Sequence, residues 1–136
     1  MIERFVTQHT NAHAYASLGS ILYLSCMTHV DGVVGNSSSG LLEAPSFRKG
    51  TINIGDRQQG RLQADSVINA APTRESIAKA LEELYSIDFQ ASLKDGHNPY
   101  GEGGASEKIV NTIKKCSLNG IIKKEFYDVL KTNTRK

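Results

Sequence analysis

A run of small hydroxyl residues and glycines follows a short apolar stretch in the segment VVGNSSSGLLEAPSF, residues 33–47. Ser37, Ser38 and Ser39 supply hydroxyl donors, and the glycines at positions 35 and 40 allow close approach of a ligand to the backbone. A helix is predicted to begin here, and its free amides and dipole favour an anion. The segment therefore predicts a phosphate-binding corner. The alternative is that one serine caps the helix and the others face solvent.

A carboxylate and two guanidinium groups complete the candidate site. Glu43 lies one and a half helical turns beyond Ser37. Because phosphate repels a carboxylate, we expect Glu43 to accept hydrogen bonds from paired sugar hydroxyls, such as those of ribose. A solvent-facing glutamate is the alternative. The loop GDRQQGR offers Arg57 or Arg61 as a fork of donors for the anion and Gln58 as a neutral donor. A surface ion pair is the alternative for either arginine.

These loops need a sheet to bring them together. Short apolar or β-branched runs predict strands at residues 33–34, 51–55 and 65–70, with a further short strand at 11–15. Helical periodicity predicts helices over 17–30, 72–86 and 105–116, a short helix over 40–47, a weak one near the start and another over 122–130. The alternation predicts an α/β fold with a parallel sheet flanked by helices. The serine loop and the GDRQQGR loop then leave the same edge of that sheet.

Composition limits the function classes. The chain has 136 residues, 39% of them hydrophobic, and its 16 basic and 14 acidic residues give a net charge of +2. This predicts one domain and argues against nucleic acid or an anionic membrane as partner. The sequence contains no run approaching the ~20 apolar residues of a bilayer span and no signal-peptide pattern. Cys26 and Cys116 lie far apart, and the four histidines lack metal-ligand spacing. We therefore expect a cytoplasmic protein with reduced thiols, no metal and no cofactor.

Three motifs resemble one enzyme family when taken together and in order: GNSSSGLLEAPSF, NIGDRQQGRLQADSVINA and NPYGEGGASEKIV. They are similar to the C-terminal half of the hydrolysing UDP-N-acetylglucosamine 2-epimerases, especially the bacterial sialic-acid branch, over about residues 11–115. The resemblance implies a Rossmann-like C-terminal half of a glycosyltransferase-B-type fold, with the UDP-sugar in a cleft between two α/β domains. The implied UDP-binding residues are Ser37, Ser38, Ser39, Gly40, Glu43 and Arg57, with Glu43 on the ribose and backbone near Ser17 and Leu18 close to the uracil.

The implied reaction eliminates UDP from UDP-N-acetylglucosamine to give a glucal, and water then adds to yield N-acetylmannosamine. In the family the catalytic carboxylates and a histidine come from the N-terminal domain and the interdomain region. We therefore expect no catalytic residue in this chain, and a nucleotide half-site that is inactive without the missing N-terminal domain. A nucleotide-sugar-binding module without catalysis and a glycosyltransferase C-terminal domain are the alternatives, although the latter is not expected to combine NIGDRQ with NPYG.

The predicted organisation is a UDP-binding α/β domain over residues 1–116 and a helical tail over 117–136. The tail carries the apolar residues Ile121, Phe126, Tyr127, Val129 and Leu130. They are expected to pack on the missing domain, on their own domain, or on a second copy in a homodimer.

Overall fold

The helices and strands of the chain alternate in short elements. A computed structural model describes residues 1–120, 122 and 123. The elements in chain order are α1 (Ile2–Gln8), α2 (Gly19–His29), β1 (Gly32–Gly35), α3 (Ser39–Leu42), a 3₁₀ helix (Ala44–Phe47), β2 (Gly50–Ile54), β3 (Val67–Ala70), α4 (Arg74–Leu84), α5 (Ile87–Ser92) and α6 (Ala105–Lys115). Of the helix predicted over 122–130 only residues 122 and 123 are described, and the apolar tail residues Ile121, Phe126, Tyr127, Val129 and Leu130 lie outside the described residues.

The three strands form one parallel sheet in the order β1-β2-β3. Val34 of β1 is opposite Ile52 of β2, which is opposite Ile68 of β3. The predicted α/β fold with a Rossmann-like parallel sheet is therefore confirmed. Because all three strands run the same way, the loops that follow β1, β2 and β3 leave the sheet at one edge.

One face of the sheet is covered by α4. Ile52, Ile68 and Leu84 are the largest members of a buried cluster that also contains Ala70 and Ala80. The predicted helix begins as expected, since the Thr73 side chain accepts a hydrogen bond from the Ser76 amide at 3.2 Å. This face fixes the position of β2, whose residues Gly50–Asn53 are all buried.

The opposite face carries the connection from β1 to β2. Leu41 of α3 and Ala44 of the 3₁₀ helix are 0% exposed, and Met27 of α2 is 2% exposed. Pro45 stands near the start of the 3₁₀ helix, and the left-handed conformation of Arg48 (φ 55°) ends it. A proline has no amide to donate, so the single short helix predicted over 40–47 divides into two short pieces.

One expectation about local structure was wrong. The strand predicted at residues 11–15 is an irregular segment, and no described strand lies beside it. The connection from β2 to β3, residues 55–66, contains turns, in agreement with the loop predicted at GDRQQGR. Helix α5 was not predicted from the sequence; its N-cap is Ser86, whose side chain accepts a hydrogen bond from the Phe89 amide at 3.3 Å.

The chain divides into two compact units, Met1–Glu102 and a second that begins at Gly103. The first contains the sheet, and α6 belongs to the second. The predicted division into residues 1–116 and 117–136 stays a prediction. Among the described residues, no helix has the length and apolar character needed to cross a membrane.

Candidate functional site

The serine corner is the turn that joins β1 to α3, residues 36–39. The Gly40 amide donates to the Ser37 carbonyl at 3.3 Å, and the Leu41 amide donates to the Ser38 carbonyl at 3.0 Å. Among the hydrogen bonds of the described residues, none uses the amides of Ser37 and Ser38. The donors that the corner offers to a ligand are therefore the two amides before the helix, together with the exposed Ser37 hydroxyl.

The helix that follows the corner is shorter than the anion-binding prediction assumed. Helix α3 has four residues, so few peptide dipoles add up along its axis. Ser38 occupies the N-cap position without a side-chain cap hydrogen bond. The Ser39 amide instead approaches the Ser37 hydroxyl at 3.4 Å. Hydroxyl and amide donors, more than a helix dipole, are what this corner provides.

Glu43 turns back towards the corner. The Ser39 hydroxyl donates to the Glu43 Oε2 atom at 2.6 Å, and the Tyr23 hydroxyl of α2 is hydrogen-bonded in turn to the Ser39 hydroxyl. Ser39 and Glu43 are both half-buried. The carboxylate is thus held by a chain of two hydroxyls, and its Oε1 atom remains for a further donor. Tyr23 was not singled out in the sequence, because it lies 16 positions from Ser39.

Gly40 is buried for a packing reason. A Cβ atom at this position would lie 2.5 Å from the Cγ2 atom of Thr51 in β2. The Thr51 hydroxyl also donates to the Gly40 carbonyl at 2.8 Å. The contact fixes α3 against the sheet, so the absence of a side chain at Gly40 is explained without a ligand. A contact between the Gly40 backbone and a ligand stays a prediction.

The GDRQQGR loop is hydrogen-bonded to the serine corner. Gln58 is 3% exposed, and its Nε2 atom donates to the Asn36 carbonyl at 2.7 Å. Its Oε1 atom is buried without a hydrogen-bond partner among the described residues. Arg57 and Arg61, on either side, are exposed. Gln58 was predicted as a donor to a ligand, but its amide nitrogen holds the GDRQQGR loop beside the serine corner.

The NPYG motif makes hydrogen bonds to the segments that follow the serine corner and the GDRQQGR loop. The Asn98 side chain is 8% exposed and donates to the Leu42 carbonyl at 2.8 Å and to the Ser46 hydroxyl at 2.7 Å. The Tyr100 hydroxyl donates to the Leu62 carbonyl at 2.9 Å. The motif therefore fixes the segment that carries Glu43 and the far end of the GDRQQGR loop. Sequence reasoning recognised the motif but not its partners, which lie up to 56 positions away.

An amide network and a cavity continue this edge of the sheet towards β3. The Asn53 side chain, 2% exposed, donates to Asn69 at 2.9 Å, and Asn69 donates to Gln63 at 2.8 Å. Beyond the ends of β2 and β3 lies a cavity of about 430 Å³ whose lining includes Asp56 and Pro72. The carboxyl edge thus carries polar groups along its whole width.

The structure brings most of the predicted residues to one place. Ser39 and Glu43 are in direct contact, and Gly40 lies between them in the chain. Ser37 and Ser38 form the turn immediately before them. Arg57 reaches the same edge only through its loop, which Gln58 ties to Asn36. Ser17 accepts a hydrogen bond from the Gly19 amide at 3.2 Å, before α2.

A three-stranded parallel sheet with polar loops at its carboxyl edge defines an α/β protein of the Rossmann-like class. The chain belongs to the UDP-N-acetylglucosamine 2-epimerase family, whose model matches residues 1–114. It is 40% identical over 119 residues to the GDP/UDP-N,N'-diacetylbacillosamine 2-epimerase (hydrolyzing) of Campylobacter jejuni, a match that covers 87% of this chain and 30% of that relative.

Two further relatives extend the comparison. A polysialic acid biosynthesis protein of Escherichia coli is 33% identical, over 98% of this chain and 35% of its own length. The UDP-N-acetylglucosamine 2-epimerase of Neisseria meningitidis is 31% identical, over 85% of this chain and 31% of its own length. The chain therefore spans about a third of the length of the curated relatives that it matches.

Proposed function

We propose that this chain is the nucleotide-binding part of a hydrolysing UDP-sugar 2-epimerase. The observation that carries the proposal is the hydroxyl chain that holds Glu43 through Ser39, the residue directly after Ser37 and Ser38 in the corner. The amides of Ser37 and Ser38 and the Ser37 hydroxyl suit a diphosphate, which accepts several hydrogen bonds from donors of this kind. The Glu43 Oε1 atom suits a ribose hydroxyl. Arg57, exposed on the adjacent loop, is proposed to approach the diphosphate and the sugar.

The proposed reaction is elimination of UDP from UDP-N-acetylglucosamine, followed by addition of water to give N-acetylmannosamine. Such a reaction needs a base at C2 of the sugar and an acid for the leaving group. The serine side chains of the corner suit neither task, and Glu43 is engaged by Ser39 and is assigned to the ribose. We propose that these groups belong to an N-terminal domain in the whole protein, so that this chain alone is inactive.

The sugar and the biological context are part of the proposal. Relatives are named for N,N'-diacetylbacillosamine and for N-acetylglucosamine, and one is named for GDP as well as UDP. The name of the Escherichia coli relative favours sialic-acid or surface-polysaccharide biosynthesis. We propose UDP-N-acetylglucosamine as the substrate, the cytoplasm as the location and a homodimer as the assembly. A nucleotide-sugar-binding module without catalysis is the second candidate, favoured because the serine corner offers hydrogen-bond donors to a ligand but no side chain suited to the acid or base step.

Calorimetric titration of the purified chain with UDP, GDP and UDP-N-acetylglucosamine tests the nucleotide site. We expect weak binding of UDP, and Glu43→Gln should weaken it by roughly 10- to 100-fold, since a hydrogen bond to a charged group contributes roughly 1.5–3 kcal/mol. Ser37→Ala should weaken it less. The matched control is Glu75→Gln, an exposed glutamate in the first turn of α4. Equal affinity of Glu43→Gln and the unsubstituted chain would contradict the ribose assignment.

Turnover is tested separately by following release of UDP and N-acetylmannosamine from UDP-N-acetylglucosamine. We expect no turnover by this chain. Measurable turnover would refute the half-site proposal and would require catalytic groups within these residues.

A further inference from the structure

The cavity beyond the ends of β2 and β3 lies next to the proposed diphosphate site. It has a volume of about 430 Å³, and it is lined by Gly55, Asp56, Asn69, Ala70, Ala71 and Pro72. Asp56 directly precedes Arg57, which is proposed to approach the diphosphate. Because adjacent Cα atoms are about 3.8 Å apart, the cavity begins very close to that arginine. A group attached to the diphosphate can therefore reach it.

The apolar wall of the cavity is held by hydrogen bonds of its backbone. The Gly55 amide donates to the Ala70 carbonyl at 2.9 Å, and the Ala71 amide donates to the Ser76 hydroxyl at 2.9 Å. Pro72 adds a ring whose φ angle is fixed. Small-molecule sites are usually formed before the ligand arrives. This wall meets that requirement, because its shape does not depend on flexible side chains.

Asn69 supplies the cavity with an amide whose orientation is fixed. Its Oδ1 atom accepts from the Asn53 Nδ2 atom at 2.9 Å. Its Nδ2 atom donates to the Gln63 Oε1 atom at 2.8 Å. A side-chain amide has two N–H bonds, so the second N–H bond of Asn69 has no acceptor among the described residues. Asn69 therefore offers a ligand one hydrogen-bond donor.

Asp56 supplies the complementary acceptor. Its backbone carbonyl accepts from the Gln59 amide at 2.8 Å, which fixes the turn that carries it. Its side chain is exposed, and within the described part of the chain no hydrogen bond or ion pair uses its carboxylate. A carboxylate is repelled by phosphate, so Asp56 suits the sugar and not the diphosphate beside it.

We propose that this cavity binds the acetamido group at C2 of the UDP-sugar. Asp56 accepts a hydrogen bond from the acetamido N–H, and Asn69 donates one to the acetamido carbonyl. The methyl group contacts Ala71 and Pro72, which are both exposed in the wall of the cavity. The inference rests on the proposed function, because the nucleotide must bind at the serine corner for the sugar to lie here.

An acetamido group fits this lining better than a sugar hydroxyl does. It carries one donor, one acceptor and a methyl group, and the cavity offers one acceptor, one donor and an apolar wall. A hydroxyl would leave the apolar wall in contact with water. Holding the acetamido group also fixes the position of C2, the carbon at which the proposed reaction begins. Asp56 and Asn69 are therefore assigned to the selection of the sugar and not to the acid or base step.

Calorimetric titration of this chain with UDP, UDP-N-acetylglucosamine and UDP-glucose tests the assignment, since UDP-glucose has a hydroxyl group at C2. We expect UDP-N-acetylglucosamine to bind at least about fivefold more tightly than UDP-glucose, because it gains the two hydrogen bonds. Asp56→Ala should abolish that preference and leave the affinity for UDP unchanged. The matched control is Asp65→Ala, at an exposed aspartate before β3, which should keep the preference.

A second variant and a spectroscopic measurement extend the test beyond one carboxylate. Ala71→Phe should fill the cavity and also abolish the preference for the acetamido sugar, with circular dichroism used to check that the variant is folded. In saturation-transfer NMR, the acetyl methyl protons of UDP-N-acetylglucosamine should be among the most strongly saturated protons of the ligand. Their saturation should fall in Ala71→Phe. If that variant does not fold, Asp56→Ala, at an exposed position, decides alone.

The outcomes separate this inference from the proposed function. Equal affinity of the unsubstituted chain for UDP-N-acetylglucosamine and UDP-glucose would overturn the inference. A preference that survives Asp56→Ala and the folded Ala71→Phe would also overturn it, since the acetamido group would then be bound elsewhere. In both cases UDP still binds and the proposed function stands. Absence of UDP binding would instead refute the proposed function, and this inference with it.

Discussion

The contact between Gly40 and Thr51 gives a prediction that separates packing from ligand approach at the serine corner. In Gly40→Ala the new Cβ atom would start 2.5 Å from Thr51 Cγ2, and both residues are buried, so one of them must move. Overpacking of this kind costs about 1–3 kcal/mol. Alanine regains up to about 1 kcal/mol over glycine in a helix. We therefore expect a net loss of roughly 1–2 kcal/mol in the free energy of unfolding.

The compensating change is Thr51→Ser, which removes Cγ2 but keeps the hydroxyl that donates to the Gly40 carbonyl. Alone it should cost about 1 kcal/mol for the lost methyl group. In the double variant the added Cβ occupies the space that the methyl group left. The loss of unfolding free energy in the double variant should therefore be smaller than the sum of the two single losses by about 1 kcal/mol or more.

Urea denaturation of the four proteins, followed by circular dichroism, measures this coupling, and UDP titration of the same proteins adds the functional readout. If close approach to Thr51 is the reason for a glycine at position 40, Gly40→Ala loses stability and UDP affinity together. The double variant then regains both. Strictly additive free energies would refute the packing argument. Restored stability without restored affinity would show that the Gly40 position also contacts the nucleotide.

Three other predictions concern the bonds that shape the site, each measured by urea denaturation. Gln58→Ala should cost about 1–2 kcal/mol because it removes the donor to the Asn36 carbonyl, whereas Gln59→Ala, at an exposed neighbour, should cost less than about 0.5 kcal/mol. Asn98→Ala should cost about 2–3 kcal/mol through the loss of two buried side-chain donations; an effect as small as that of the exposed Asn119→Ala would contradict the bracing role. Thr73→Ala should cost about 1 kcal/mol by removing the cap of α4, and an unchanged midpoint would rule that cap out as a source of stability.

Much of the fold was predictable because local rules agree with the tertiary structure. Thr73 caps α4 as its residue type suggests, and the β-branched run at 51–54 is the central, most buried strand. Helix α5 escaped prediction because its six residues are too few to show a period. The strand at 11–15 was predicted from one short segment without regard to a partner strand, and none lies beside it among the described elements.

The residue types of the candidate site were predictable from the sequence, but their hydrogen-bond partners were not. Serines and a glutamate near a strand end are visible in the sequence, and the structure brings Ser39 and Glu43 within 2.6 Å of each other. The residues that hold them come from distant segments: Tyr23 from α2 and Asn98 from the NPYG motif. Such contacts depend on how elements pack, and neither composition nor periodicity encodes them locally.

The geometry of the corner bears on how tightly the proposed nucleotide would bind. Ser37 and Arg57, proposed as donors to the diphosphate, are both exposed, and α3 is too short to add a strong dipole. A diphosphate bound there would keep water on one side, and a hydrogen bond in water contributes far less than one in a closed site. The side-chain amides of Gln58 and Asn98 donate to backbone carbonyls of the loops and not to a ligand. We therefore expect tight binding only when another part of the polypeptide closes over the exposed side of this corner.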